Sequence, residues 1–119
     1  MKLVIDDNAT LGIIQDDFNR MFPFLKVEFY GLSRENDHNP RMLKDKNRVI
    51  GQFRNKKQAG KIIIDEHTTV EDLDEHFNEI YGLQALIYRK SGKAWLKTTL
   101  TENWTLEEQN NQGKDLHRG

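Results

Sequence analysis

Residues 61–88 read KIIIDEHTTVEDLDEHFNEIYGLQALIY, and residues 2–30 read KLVIDDNATLGIIQDDFNRMFPFLKVEFY. The two stretches align along their whole length when one additional residue of the first, Phe24, is skipped. Eight aligned pairs are identical, where chance predicts roughly two. They are Lys2/Lys61, Ile5/Ile64, Asp6/Asp65, Thr10/Thr69, Phe18/Phe77, Asn19/Asn78, Leu25/Leu83 and Tyr30/Tyr88. The chain therefore contains an internal repeat.

Each copy of the repeat predicts a strand, a helix and a second strand. An apolar run opens each copy, and apolar residues then recur at steps of three and four, the spacing of a helix with one buried face. Thr10, Thr68 and Thr69 precede these helices and are suited to cap them, and Thr68 with Glu71 matches a capping box. Alternating polar and apolar residues after each helix indicate a strand with one buried face.

A third strand is expected in each copy. In the second copy, residues 90–93 form a tight turn around Gly92, and residues 94–99 form the strand that follows it. In the first copy, the matching strand is predicted at residues 48–53. It is reached through an insertion, residues 31–47, that the second copy lacks.

The repeat predicts one domain over residues 1–110. It consists of two copies, residues 2–54 and 61–99, and a short helical turn at residues 105–109 that opens with a capping box. The sequence then becomes polar, so residues 111–119 are expected to form a flexible tail.

The predicted fold class is α+β, a two-layer sandwich built from a duplicated β-α-β-β unit. Both helices have a single apolar stripe and are expected to cover one face of a shared, mostly antiparallel sheet, as in relatives of the ferredoxin-like fold. Both leading strands are apolar without alternation, which predicts central positions in that sheet and right-handed crossovers. A β-grasp fold of the second half is the alternative, although it leaves the first copy unexplained.

Composition excludes several classes of function. The chain has 119 residues and no cysteine, so disulfides, thiolate catalysis and iron–sulfur clusters are excluded. Its apolar runs are too short for a signal peptide or a membrane span, and its net charge is −1. We expect a cytoplasmic protein with no cofactor, no bound metal and no contact with membranes.

Charge is strongly segregated along the chain. Residues 41–61 carry eight Lys and Arg against one acid, whereas residues 65–79 carry seven acids and no Lys or Arg. With the basic hairpin at residues 89–97, this pattern indicates a surface for ligand phosphates or nucleic acid, with Tyr30, Phe53 and Tyr88 available for base stacking. The candidate binding residues are Arg41, Lys44, Arg54, Lys56, Lys57, Arg89, Lys93 and Trp95. Alternatively, basic edge strands resist aggregation, or the two charged zones face each other within or between molecules.

Other polar and aromatic residues are weaker candidates. Glu35, Asp37 and His38 of the insertion could bind a metal ion, but consecutive polar residues of this kind more commonly form a solvated loop. Trp95 and Trp104 either form a partner surface or cover the core.

No catalytic motif is present. Asp6 and Asp65 end equivalent strands, so pseudo-symmetry can bring their carboxylates together for acid–base chemistry or metal binding. More commonly, an acid at such a position accepts backbone N–H groups in the following turn. Neither a nucleophile elbow nor a phosphate-binding glycine loop occurs, and we therefore expect no enzymatic activity.

The C-terminal half carries a family resemblance. The segments at residues 89–92, 95–99 and 104–110, together with residues 22–26, resemble a small family of uncharacterised bacterial proteins of the kind found in Bacteroidetes. The likeness spans most of the chain. It implies a bacterial, cytoplasmic, stand-alone domain and transfers no site residue.

These observations favour a small non-catalytic binding or protein-interaction module, with a protein partner or self-association as its mode of action. The first alternative is a nucleic-acid-binding protein that uses the basic segment and the hairpin. A more distant alternative is a metal-dependent enzyme.

Overall fold

The computed structural model of the chain describes residues 1–31 and 40–117. The described strands and helices are, in chain order, β1 (Lys2–Asp6), α1 (Leu11–Met21), β2 (Leu25–Gly31), β3 (Arg41–Met42), β4 (Lys61–Asp65), α2 (Val70–Tyr81), β5 (Leu83–Ser91), β6 (Ala94–Lys97) and α3 (Leu106–His117). Two short 3₁₀ helices lie at Ile50–Phe53 and Thr99–Thr101. Each half contains strand, helix, strand and strand in that order, so the predicted α+β class and duplicated unit are confirmed.

Threonine side chains cap both repeated helices. The hydroxyl oxygens of Thr10 and Thr69 each accept a backbone N–H from the first helical turn, at 3.2 and 3.1 Å. These bonds satisfy N–H groups that have no partner inside the helix. The predicted capping box of Thr68 with Glu71 is wrong, because the Thr68 hydroxyl instead accepts the backbone N–H of Asp65 at 3.0 Å.

The strands form two antiparallel sheets instead of one. β1 and β4 pair as a two-stranded ribbon, and the other four strands form a sheet in the order β3-β2-β5-β6. The predicted central position of the leading strands is therefore wrong, and the units β1-α1-β2 and β4-α2-β5 each join strands of different sheets. The apolar runs were misleading because the ribbon buries one face only. Ile5, Ile62 and Ile64 are buried, whereas Val4 and Ile63 are about half exposed.

A pseudo-twofold axis relates the two halves. Residues that are equivalent in the repeat pair with each other at two places, Val4 with Ile63 in the ribbon and Glu28 with Leu86 in the four-stranded sheet. A pair of this kind straddles the axis. The axis therefore passes through the centres of both sheets.

The structural repeat is longer than the sequence repeat. In the first half, the Leu11 N–H donates to the Arg48 carbonyl at 2.9 Å, and in the second half the Val70 N–H donates to the Trp104 carbonyl at 3.1 Å. The segments that contain Arg48 and Trp104 thus each cross the start of a helix. Each segment then places a fully buried apolar residue in the core, Ile50 in the first half and Leu106 in the second. The 3₁₀ helix Ile50–Phe53 is thus the counterpart of the start of α3.

The third strand of the first half lies earlier than predicted. β3 pairs with β2, with Met42 opposite Tyr30. The prediction of a strand at residues 48–53 is wrong, because the backbone of this segment forms hydrogen bonds with the start of α1 and with the turn before it. There the Gly51 N–H donates to the Asp7 carbonyl at 3.0 Å, and the backbones are so close that a Cβ at Gly51 would lie 2.5 Å from that oxygen.

The core lies between the ribbon, the helices and the inner face of the four-stranded sheet. Its largest fully buried side chains are Tyr81, Phe18, Phe29 and Phe77. The rings of Phe29 on β2 and Phe77 on α2 meet edge-on, with centroids 5.0 Å apart. Burial of such rings is the main source of stability in a domain of this size.

Side chains of the two repeated helices complete the hydrogen bonds of the four-stranded sheet. The Gln15 amide on α1 donates to the Val27 carbonyl of β2 at 3.0 Å. At the equivalent position on α2, the Asp74 carboxylate accepts the Ala85 N–H of β5 at 2.8 Å. Both helices are therefore tied to strand backbones as well as to the apolar core.

The C-terminal helix extends beyond its predicted end. The capping box is confirmed, since the backbone N–H and hydroxyl of Thr105 both donate to Glu108 and the Glu108 N–H donates to the Thr105 hydroxyl. The helix continues to residue 117 and therefore includes residues 111–117, which the sequence predicts as a flexible tail. Neither α3 nor any other helix in residues 1–31 and 40–117 has the length and apolar character needed to cross a membrane.

Candidate binding surfaces

The structure uses two of the predicted basic residues internally. The Arg54 guanidinium pairs with the Asp7 carboxylate, with Nε 2.7 Å from Oδ2. Arg89 donates from Nη1 to the Oε1 of Gln109 on α3 at 2.9 Å, and its Nε is buried without a partner among the described residues. Both guanidinium groups therefore join parts of the fold together.

The other predicted basic residues do not converge on one site. Arg41 lies on β3 beside Gly31, at one end of β2, whereas Lys93 lies in the turn beyond the opposite end. The two ends of a seven-residue strand are about 20 Å apart. Lys44, Lys56 and Lys57 are exposed on connecting segments. The charge segregation of the sequence thus does not become a single basic patch.

The two strand-end carboxylates, Asp6 and Asp65, are also separated. Antiparallel pairing of β1 with β4 places them at opposite ends of the ribbon, about 13 Å apart along the strands. The prediction that pseudo-symmetry brings them together is therefore wrong. Each accepts a backbone N–H of the following turn, from Asn8 at 2.9 Å and from His67 at 2.8 Å, and the bond from His67 lowers the pKa of Asp65.

The structure offers no metal site in the part of the chain that it describes. No group of three or more His, Asp or Glu side chains within residues 1–31 and 40–117 is placed to hold a metal ion. The suggested ligands Glu35, Asp37 and His38 lie outside the described residues.

The outer face of the four-stranded sheet is the first candidate surface, and we call it the open sheet face. It consists of the side chains that point away from the core on three strands: Lys26, Glu28, Tyr30, Gln84, Leu86, Tyr88, Lys90, Trp95 and Lys97. Most of these side chains are half-buried by their neighbours, and Lys97 is exposed. The surface carries three lysines against one acid.

Lysine side chains lie against the aromatic rings of the open sheet face. The Lys26 ammonium lies 5.3 Å from the ring centre of Tyr88 and 5.0 Å from that of Trp95, and the Lys90 ammonium lies 5.2 Å from the Trp95 ring. The hydroxyls of Tyr30 and Tyr88 are 2.6 Å apart, and burial together with this bond raises the pKa of Tyr88 to about 12. The rings already have partners within the fold.

The two tryptophans do not form one surface. Trp95 belongs to the open sheet face, whereas Trp104 lies just before α3 against the guanidinium of Arg89, 5.7 Å from its ring centre. The side chain of Arg89 points to the core side of the sheet because its strand partner is the buried Leu25. Trp104 thus covers the core beside the start of α3.

The second candidate surface is the ribbon side, which we define as the outward face of the β1–β4 ribbon together with Ile13 of α1. Three large apolar side chains are exposed there: Val4 by 52%, Ile63 by 48% and Ile13 by 54%. Val4 and Ile63 are cross-strand partners and therefore neighbours on the ribbon, and Ile13 lines the groove beside Val4. We call these three side chains the apolar patch of the ribbon side.

Charged residues border this apolar patch in a symmetric pattern. Lys2 is the strand partner of Asp65 at one end of the ribbon, and Lys61 is the partner of Asp6 at the other. Among the described residues, neither lysine forms an ion pair closer than 4.0 Å. An apolar centre with a charged rim is typical of protein–protein interfaces.

A groove runs along β1 on the ribbon side. Its deeper part, about 260 Å³, is lined by residues 3–6 of β1 and by Ile13, Ile14 and Asp17 of α1. A second part, about 180 Å³, continues past Lys2 to the last turn of α1. The groove therefore follows the whole length of the strand.

The sequence predicted a central sheet position for the two leading strands, which carry Val4 and Ile63, and it named no residue of the ribbon side as a binding residue. A run such as KIIID is compatible with a strand buried on both faces and with a strand buried on one face. The sequence therefore does not indicate that Val4 and Ile63 are exposed. Ile13 does carry such an indication, since it lies outside the helical stripe of Leu11 and Ile14 and aligns with Asp72 in the second copy.

Comparison of the chain with protein-family models, with curated proteins and with solved structures found no match.

Proposed function

We propose that the protein is a non-catalytic protein-binding module that contacts its partner through the ribbon side. One observation carries this function: three exposed apolar side chains lie on the ribbon side, where Val4 pairs with Ile63 and Ile13 lines the same groove as Val4. Single exposed apolar residues are common on protein surfaces, but a contiguous cluster bordered by charge is typical of interaction sites.

The charged rim adds specificity to this surface. Lys2 and Lys61 keep their ammonium groups in water, where a partner's carboxylates can reach them, and Asp6 and Asp65 offer the opposite charge at the same two ends. A partner must therefore present both signs in matching positions, since like charges across an interface are unfavourable.

A double variant tests the proposed surface. Val4→Thr with Ile63→Thr keeps β-branched side chains on both strands and removes the apolar contact. Both positions face solvent, so we expect the unfolding free energy to change by about 1 kcal/mol or less. With the tagged protein as bait, capture of a specific partner is expected to fall about tenfold, which corresponds to about 1.4 kcal/mol of binding free energy.

The matched control lies on the other side of the molecule. Lys90→Gln with Lys97→Gln alters the open sheet face and is expected to leave capture unchanged. Capture that survives the ribbon variant would contradict the proposal, as would a chain that stays monomeric at low salt and retains no partner.

Nucleic-acid binding by the open sheet face is the second candidate function. The specific observation in its favour is that Lys26, Lys90 and Lys97 surround Tyr88 and Trp95 on one sheet surface. Exposed sheets with aromatic and basic residues bind single strands in several folds. We rank it second because the lysines already cover the rings.

Fluorescence anisotropy of labelled single-stranded and duplex oligonucleotides tests this second function. It predicts micromolar binding at low salt that weakens steeply as salt increases. Lys90→Gln with Lys97→Gln would then reduce the slope of log K against log salt by about 1.4 for single strands. The control is Lys56→Glu with Lys57→Glu, which changes the basic segment on a separate loop. Binding by the open sheet face predicts little effect of this control on the salt slope. No binding at low salt would remove this candidate.

A further inference from the structure

We propose that the free edge of β1 binds an extended segment of a partner protein, which lies in the groove beside α1 and runs antiparallel to β1. The bound segment has a basic residue at its N-terminal end, apolar residues in the middle and an acidic residue at its C-terminal end. This inference rests on the proposed function and names the kind of partner that the ribbon side accepts.

Among the described strands, β1 has a partner on one edge only. It pairs with β4 along all five of its residues on one side. On the other side, no backbone hydrogen bond joins β1 to another strand within residues 1–31 and 40–117. The N–H and C=O groups along a strand edge form a template for a further strand, and addition of a peptide strand to such an edge is a common mode of recognition.

The groove beside this edge suits an extended chain. Its two parts follow β1 from Met1 to Asp6, and α1 forms the opposite wall through Ile13, Asp17 and Met21. A strand of five residues is about 17 Å long and needs about 4.8 Å of width beside its neighbour. Alternate side chains of the bound segment would lie against Ile13, which is otherwise half exposed.

The second copy of the repeat carries a polar residue at the position of Ile13. The equivalent residue on α2 is Asp72, which is exposed, and Asp17 is replaced there by the exposed His76. Both helices nevertheless bury equivalent apolar residues, Leu11, Ile14 and Phe18 on α1 and Val70, Leu73 and Phe77 on α2. An apolar residue at position 13 therefore adds a feature that the common scaffold does not require.

Charge complementarity defines the occupant. β4 already occupies the other edge of β1, with Lys61 opposite Asp6 and Asp65 opposite Lys2. The free edge presents the same two charges at the same spacing, so an antiparallel segment fits when it also begins with a base and ends with an acid. Like charges opposite each other on neighbouring strands are destabilising.

A second copy of the chain is a poorer occupant. Its own β1 carries α1 beside the free edge, so edge-to-edge pairing would bring two helices into the width of one groove. An extended partner segment has no such helix.

The test uses a fluorescein-labelled peptide, Gly-Lys-Ile-Thr-Ile-Asp-Gly, with the full-length protein. Its central threonine limits aggregation of the peptide. We expect saturable binding by fluorescence anisotropy, and we expect the charge-reversed peptide, Gly-Asp-Ile-Thr-Ile-Lys-Gly, to bind about tenfold more weakly. Hydrogen exchange should slow at those β1 amides that face away from β4.

Two protein variants make the test specific. Ile13→Asp reproduces the residue found on α2, so it should fold normally, and it is expected to weaken peptide binding by about tenfold or more. Asp72→Asn is the matched control on α2 and should leave binding unchanged.

Besides a failure of the peptide to bind, three results would overturn the inference. They are equal affinity for the two peptides, binding that Ile13→Asp does not change, and a dimer in sedimentation whose β1 amides are protected without peptide. The last result would assign the edge to a second copy. If the peptide fails to bind while Val4→Thr with Ile63→Thr still abolishes partner capture, this inference is wrong and the proposed function stands; if neither has an effect, both are wrong.

Discussion

At the residue scale, a partly buried polar joint connects the two halves of the molecule. Asp7, directly after β1, accepts a hydrogen bond from the Tyr81 hydroxyl at 3.0 Å and pairs with Arg54 at 2.7 Å. Tyr81 is 1% exposed. Burial of its ring and the neighbouring Asp7 carboxylate both raise the pKa of Tyr81 above its ordinary value. The joint therefore disfavours ionisation of the tyrosine in the folded state.

Tyr81→Phe tests this joint through alkaline pH. An unfolded tyrosine ionises near pH 10, whereas folded Tyr81 stays protonated above that pH, so the unfolded state binds fewer protons and wild-type stability falls as pH rises. The variant should lose about 1 kcal/mol of unfolding free energy near pH 8, where only the hydrogen bond is missing. Above about pH 10, its stability should fall less steeply than that of the wild type.

Urea unfolding followed by fluorescence at several pH values measures both effects. The value near pH 8 is the internal control, since neither state ionises the tyrosine there. Equal slopes for the two proteins above pH 10 would contradict the burial of an un-ionised Tyr81.

Asp74, like Tyr81, has an ionised form that is unfavourable in the folded state. Burial is the main cause that raises the pKa of its carboxyl, and repulsion from Glu102 adds to it. A carboxyl group whose pKa is higher in the folded state than in the unfolded state stabilises the fold while it is protonated. This contribution to the unfolding free energy is fully present below the pKa of the unfolded state and is lost as the pH rises through the pKa of the folded state. The charged form is thus unfavourable at neutral pH.

Asp74→Asn should therefore stabilise the protein at pH 7. The Asn side chain keeps an oxygen that can accept the Ala85 N–H, and it removes the charge. Because the group is partly exposed and screened, we expect a gain of only about 0.5 kcal/mol, or about 2–4 °C in Tm. The gain should vanish near pH 3, where wild-type Asp74 is also neutral. Thermal unfolding at both pH values checks this, and a destabilised variant would show that the Ala85 bond requires the carboxylate.

At the element scale, α3 is held by a buried polar side chain. Gln109 is fully buried, and its amide donates to the carbonyl and hydroxyl oxygens of Thr101 at 2.8 and 2.7 Å. Its Oε1 accepts from Arg89. The backbone also comes close at Gly113, where a Cβ would lie 2.9 Å from the Cβ of Phe24. These contacts dock a polar helix that hydrophobic periodicity does not reveal.

Gln109→Leu should release α3 from the sheet. Leucine has a similar volume, but it leaves Arg89 and Thr101 without their partner, which is expected to cost about 3 kcal/mol of unfolding free energy. Amide exchange in α3 should accelerate accordingly.

The exposed Asn111 supplies the control on the same helix. Asn111→Leu should change stability by no more than about 0.5 kcal/mol. A Gln109 variant as stable as this control would contradict the docking role of the amide.

At the scale of the whole molecule, the repeat was the informative part of the sequence. It predicted the order of elements, the caps at Thr10 and Thr69 and the antiparallel α+β class, because these depend on local pattern. The division of the strands into two sheets was not predictable in this way. A short apolar run is compatible with a central strand or a one-faced ribbon, and packing distant in sequence decides between them.

The candidate site was predictable to a smaller extent. Lysine and arginine counts suggested a basic surface, but Arg54 and Arg89 are used by Asp7 and Gln109, far from them in sequence. Counts of charged residues along the sequence do not predict which side chains pair in the fold. Ile13 lies outside the buried stripe of α1 and aligns with Asp72 in the second copy of the repeat. This unexpected apolar residue is the feature of the sequence that indicates the ribbon side.

The central claim is that the ribbon side is the binding surface, and hydrogen exchange read by mass spectrometry tests it most directly. The chain would be compared alone and in the complex isolated with the tagged protein. We predict slower exchange in β1 and around Ile13 of α1, with β6 and the turn at Gly92 unchanged. Slower exchange confined to β6 and that turn, with β1 unaffected, would contradict the claim and assign binding to the open sheet face.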